Sequence, residues 1–132
     1  MTATAQYVPL GRRCSAVLYA PAAGRNRAST GVLVCHPSAS SLNHVTTREL
    51  QRRGITVLAV DTPYSNVRNH AQIWEELPQY VALGITHLKS SVEHVALLGH
   101  SMAGPLMAYY QNCAEHEGAA RLPAADAVVL VD

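Results

Sequence analysis

HVALLGHSMAGPLMAYY, residues 94–110, changes its periodicity in the middle. Its first half is an almost unbroken apolar run, the pattern of a strand covered on both faces. After Met102 the pattern turns helical, and Pro105 falls in the first helical turn, where its missing N–H costs nothing. Ser101 stands at the junction. A strand that turns sharply into a helix lifts a serine hydroxyl clear of the sheet, provided the residues flanking the turn are small. Gly99, His100, Ser101, Met102 and Ala103 follow the pattern G-x-S-x-G up to its last place, where Ala103 keeps a small side chain and Gly104 comes one position late. The plainer reading of the same residues is a serine that caps a helix.

Three more segments share the apolar, β-branched character of residues 94–100: GVLVCH (31–36), ITVLAVD (55–61) and AVVLVD (127–132). Helical patterns lie between them, so strand and helix alternate as in an α/β domain of three layers, αβα, with a mostly parallel sheet. In the first crossover Asn43 is the expected cap, Arg48, Glu49 and Arg52 are expected to face water, and Gly54 to end the helix in the left-handed conformation. The second crossover places Ile73, Leu77, Val81, Ile85 and Leu88 on one stripe, with Pro78 kinking it or starting a second helix. DTPYSNVRNH (61–70) before it reads as loop, and Gly118 as the stop of the third helix. QYVPL and CSAVLYAP, separated by a turn at Gly11, read as an antiparallel start to the sheet.

The chain of 132 residues has a one-domain length, and 48% hydrophobic against 14% charged residues makes disorder a poor description. One lysine, Lys89, and a formal charge of +1 leave no basic surface for nucleic acid. Cys14, Cys35 and Cys113 are odd in number and show no C-x-x-C spacing, so no disulfide framework is expected and Cys35 is expected to pack as a small hydrophobe. No signal peptide or membrane span is readable in the opening residues, which leads to the expectation of a cytoplasmic protein.

A serine nucleophile needs N–H donors aimed at the oxygen that becomes negative during acyl transfer. HPSAS (36–40) follows the strand 31–36 and would supply one donor, the other coming from the residue after the nucleophile. Met102 and Ser38 are the donors expected, because Pro37 has no N–H. His36 is expected to orient backbone in that loop, and His100 to point away from Ser101; both are placed beside the site. His44, His70, His87, His94 and His116 read as solvated or locally bonded. Glu115, His116 and Glu117 do not converge on one ion, and no H-E-x-x-H occurs, so no metal is expected.

With these residues in view the chain resembles the first part of an α/β-hydrolase. Gly99–Ala103 resembles the nucleophile elbow of that superfamily, His36-Pro37 stands where it often has His-Gly, and VLAVDTP resembles its next strand. The resemblance runs from the two opening strands to the sixth. It implies an ester, thioester or related acyl substrate of small-molecule size, a Ser101 acyl-enzyme, and no cofactor. It also implies a catalytic acid and then a histidine after the serine; Asp132 is the candidate acid, the alternative being that it only ends its strand. No histidine follows His116, and an apolar last strand left uncovered leads to the expectation of a truncated, incomplete fold and of negligible activity for residues 1–132. Two other functions stay open: an acyltransferase using Ser101, and a non-catalytic module that pairs with a second copy through the last strand. A dinucleotide site is excluded, since no G-x-G-x-x-G follows the first parallel strand.

Overall fold

The structure, a computed structural model, describes residues 2–23, 29–67, 72–116 and 121–132. Six strands form one sheet in the order β1-β2-β4-β3-β5-β6. β1 (Thr4–Gly11) and β2 (Cys14–Ala20) are the antiparallel hairpin anticipated around Gly11. The turn runs through three left-handed residues, Gly11, Arg12 and Arg13, at φ of 78°, 49° and 60°. β2 pairs antiparallel with β4 (Thr56–Asp61), and from there β3 (Thr30–Cys35), β5 (His94–His100) and β6 (Ala127–Val131) are parallel. The carboxyl ends of the four parallel strands therefore meet along one edge of the molecule.

Side chains alternate across this sheet into two cores. Leu33 and Cys35 of β3 and Leu58 and Val60 of β4 point to one face, where they pack with Leu77, Val81, Ile85 and Leu88 of α2 (Leu77–Leu88) and Leu106, Met107 and Tyr110 of α3 (Ala103–His116). Val32, Val34, Val57 and Ala59 point to the other face, against Leu50 of α1 (Val45–Arg52). The result is the expected three-layer α/β arrangement. All three cysteines are free and buried, with Cys35 fully so.

Local details follow the sequence with two departures. Arg48, Glu49 and Arg52 are exposed and Gly54 ends α1 at φ 86°, as their residue types require. The cap of α1, however, is His44 and not Asn43: His44 accepts from the N–H of Thr46, while the Asn43 amide lies against the Tyr19 hydroxyl. Pro78 sits in the first turn of α2 after a 3-10 turn over Trp74–Glu76, so it starts the helix. Ile73 lies before that turn and is 47% exposed, outside the apolar stripe to which its spacing assigned it. Gly118 and His70 lie outside the described residues.

Candidate active site

Ser101 follows the last residue of β5 and takes φ of +56°, a left-handed conformation that costs a non-glycine residue roughly 1–2 kcal/mol. The turn is held from both sides. Its N–H donates to the carbonyl of Val131 in β6 (3.1 Å), and its own carbonyl accepts from Gly104 N–H at the start of α3 (2.9 Å). The packing explains the glycines. A Cβ on Gly99 would stand 2.6 Å from the carbonyl oxygen of Ala103 and 2.7 Å from Cα of Gly104, so helix and strand approach too closely there for any side chain. At Gly104 the nearest atom to such a Cβ is 4.0 Å away. Ala103 is buried, and its small side chain fits the last place of the motif.

Ser101 lines a cavity of about 380 Å³ together with His36, Ala39, Ser40, Ser41, His44, Val45 and His100. The far wall of this cavity is the loop from β3 to α1, which the sequence singled out as HPSAS. His36 Nδ1 accepts from the N–H of Ser38 (3.1 Å) and of Ala39 (2.8 Å). Two residues from outside the loop hold the rest of it. Asp61, at the carboxyl end of β4, accepts from Ser40 Oγ (2.6 Å) and from Ser41 N–H (2.7 Å). Asn66, at φ +58°, accepts from Ser40 N–H (3.3 Å) through its side chain and donates its own N–H to the Ser38 carbonyl (2.7 Å). The Leu42 N–H donates to Ser40 Oγ at 3.3 Å. Every N–H from Ser38 to Leu42 is thereby engaged, including the Ser38 donor expected for an oxyanion. The Met102 N–H has no hydrogen-bond partner among the described residues, and Met102 is 50% exposed.

The histidines are placed less simply than their sequence positions imply. His100 does not turn away from the site but lines the same cavity as Ser101, and its Nδ1 lies 3.3 Å from Nε2 of His44, the two rings meeting edge to face. Burial, and then the neighbouring imidazole of His100, lower the pKa of both His36 and His44 below the ordinary 6.5, so both are neutral at pH 7. His94 is at the opposite end of β5, beside Glu93 and Asp126, and His116 bonds the carbonyl of Asn112 within α3. Among the described residues no three His, Cys, Asp or Glu side chains converge as metal ligands. Ser101 Oγ makes no hydrogen bond to an imidazole or carboxylate among them.

Asp132 follows β6 and is exposed. It lines a separate depression with Gly104, Pro105, Ala108, Leu130 and Val131, on the α3 side of the turn. The structure thus brings together Ser101, His100, His36 and the β3–α1 loop, and sets Asp132 apart from them. Asp61 carried one signal, its place at a strand's carboxyl end, which reads as a loop or cap position. His44 and Asn66 carried none, because their roles depend on partners 56 and 26 residues away.

No protein-family model matches the chain, and no curated protein matches it in sequence. Solved structures do match in fold. A sugar hydrolase from Lactococcus lactis superposes with a TM-score of 0.73 at 16% identity, covering 96% of this chain and 52% of its own. Brefeldin A esterase, a bacterial homologue of human hormone sensitive lipase, gives 0.69 at 16% identity over 96% of this chain and 38% of that one. A fungal esterase from Rhizomucor miehei gives 0.67 at 20% identity, with 98% and 43% covered. The chain spans about half the length of these proteins or less. Its fold is that of an α/β-hydrolase.

Proposed function

We propose that the chain carries the nucleophile half of a serine hydrolase acting on an ester, thioester or related acyl group. The observation that carries this reading is Ser101, held in a left-handed turn and lining an apolar-walled cavity, between the small residues Gly99 and Ala103, whose packing leaves no room for a larger side chain at position 99. In this reading Ser101 Oγ adds to the acyl carbon, its proton passes to a base, and the leaving group departs to give an acyl-enzyme that water resolves. Met102 N–H is the backbone donor to the oxyanion, and Ser38 N–H joins it only where His36 Nδ1 gives it up. Asp132 is proposed as the acid of the complete machinery. The names of the superposed structures, esterases and a sugar hydrolase, favour acyl or related hydrolysis.

Full-rate acyl transfer needs an imidazole in hydrogen-bond reach of the nucleophile, and none of the described residues supplies it to Ser101 Oγ. Residues 1–132 alone are therefore expected to turn over p-nitrophenyl acetate at a rate indistinguishable from the Ser101→Ala variant, with only slow, Ser101-dependent acylation. Mass spectrometry after prolonged exposure reads that acylation directly. A modification distributed equally over wild type and Ser101→Ala would end the nucleophile reading. A second reading, a non-catalytic module pairing through β6, rests on the exposure of Val129, Leu130 and Val131 (46%, 59% and 44%); a monomer by light scattering would count against it.

A further inference from the structure

With the loop N–H groups from Ser38 to Leu42 all engaged, the Met102 N–H is an open backbone donor next to Ser101. The hydrogen bonds around His44 identify a second donor. A backbone N–H can only donate, so the bond from Thr46 N–H to His44 Nδ1 requires that this nitrogen carry no proton. The Thr46 hydroxyl, 2.8 Å from the same nitrogen, adds a second donor to it. A neutral imidazole unprotonated at Nδ1 is protonated at Nε2. His44 Nε2–H therefore faces His100 Nδ1 at 3.3 Å and donates to it. His100 is then the acceptor at Nδ1, and its own proton resides on Nε2. Burial favours the neutral form of His44. His44 and His100 both line the cavity that Ser101 also lines.

We infer that His100 is an oxyanion-stabilising residue whose Nε2–H, held in that tautomer by the capping histidine His44, donates to the acyl oxygen when Ser101 adds to the carbonyl carbon. This rests on the reading of Ser101 as nucleophile. As the Oγ–C bond forms, the Oγ–H bond breaks and its proton passes to solvent water, the carbonyl π pair moves to oxygen, and His100 gives a hydrogen bond without giving up its own proton. In this tautomer His100 is a donor and not the base for Ser101. His44 is a positioning residue that acts through His100. His100, held by the histidine that caps α1, thus replaces the loop N–H that His36 withholds.

Two measurements on the full 132-residue chain test this. Long-range proton–nitrogen spectra of the imidazoles should show His44 and His100 both as Nε2–H tautomers, and His44→Asn, which keeps a capping acceptor, should shift His100 to a mixture. An Nδ1–H tautomer at His100 in the wild type overturns the inference outright, and this readout needs no variant to fold. The second measurement is the rate at which a fluorophosphonate modifies Ser101, followed by intact mass. His100→Leu should slow it on the order of 100-fold, the usual loss for one oxyanion donor. His100→Gln, which restores an N–H at similar reach, should return it to within about tenfold of wild type. Equal rates in wild type and His100→Leu overturn the inference and leave Ser101 as nucleophile. Labelling that persists in Ser101→Ala, or that never reaches Ser101, removes the nucleophile reading and the inference with it.

Discussion

Gly99 and Gly104 flank Ser101 with opposite tolerance for a methyl group. At Gly99 the obstacle is backbone of α3, at 2.6 and 2.7 Å from the added carbon, and backbone cannot swing aside as a side chain can. Gly99→Ala is expected to cost about 3 kcal/mol by urea unfolding, the upper range for overpacking. At Gly104 the nearest atom is 4.0 Å away and the residue lies in the first turn of α3, so Gly104→Ala should be neutral or stabilise by up to about 1 kcal/mol through helix propensity. A reversed order would mean that the turn is built differently. The pattern G-x-S-x-G, read as a string, assigned the close approach to both outer places. Only the packed helix shows that the first glycine is required and that alanine serves at the last.

The β3–α1 loop is the element on which the site depends, and most of its support comes from outside it. Asp61 and Asn66, on β4 and the segment after it, take up Ser40 Oγ and the N–H groups of Ser40 and Ser41, and return a bond to the Ser38 carbonyl. Asp61→Ala removes acceptors from two partly buried donors and is expected to cost about 1–3 kcal/mol in unfolding free energy. Asp61→Asn, which keeps one acceptor, should cost less. A loss below about 0.5 kcal/mol in the alanine variant, within the range of ordinary surface changes, would show that the loop holds itself without this anchor. The sequence made the loop visible as HPSAS, with His36 at its start. It did not reveal the clamp, because a hydrogen bond between residues 20 or 26 apart leaves no spacing to recognise. The shift of the α1 cap from Asn43 to His44 has the same origin: asparagine is the stronger capping type, but here it is turned toward Tyr19 of β2, and histidine takes its place.

For the whole molecule, the neutral histidines couple stability to pH. The folded pKa of His36 and His44 is lowered from 6.5, first by burial and then by neighbouring imidazole, whereas the unfolded chain binds protons at the ordinary value. Their contribution is complete above pH 6.5 and is lost as pH falls from there through the lower folded values, because the unfolded state takes up protons first. The thermal midpoint should therefore drop between pH 7 and 5, and His36→Asn/His44→Asn should flatten that part of the curve. An unchanged slope in the double variant would place the effect elsewhere. At this scale the chain's own order determined most of the architecture. Continuous apolar runs can be satisfied only inside a sheet covered on both faces, helical stripes must cover them, and right-handed crossovers leave one arrangement that gathers Cys35, Asp61, His100 and Val131 at one edge. A glycine-flanked serine at the end of such a strand was legible for the same reason, since a local turn is written in adjacent residues. What tertiary structure alone decided is which groups face that serine. It turned His100 toward the cavity, joined it to His44, engaged the Ser38 N–H with His36 and set Asp132 in another depression, because hydrogen-bond partnership depends on distances that only the packed sheet and its loops create.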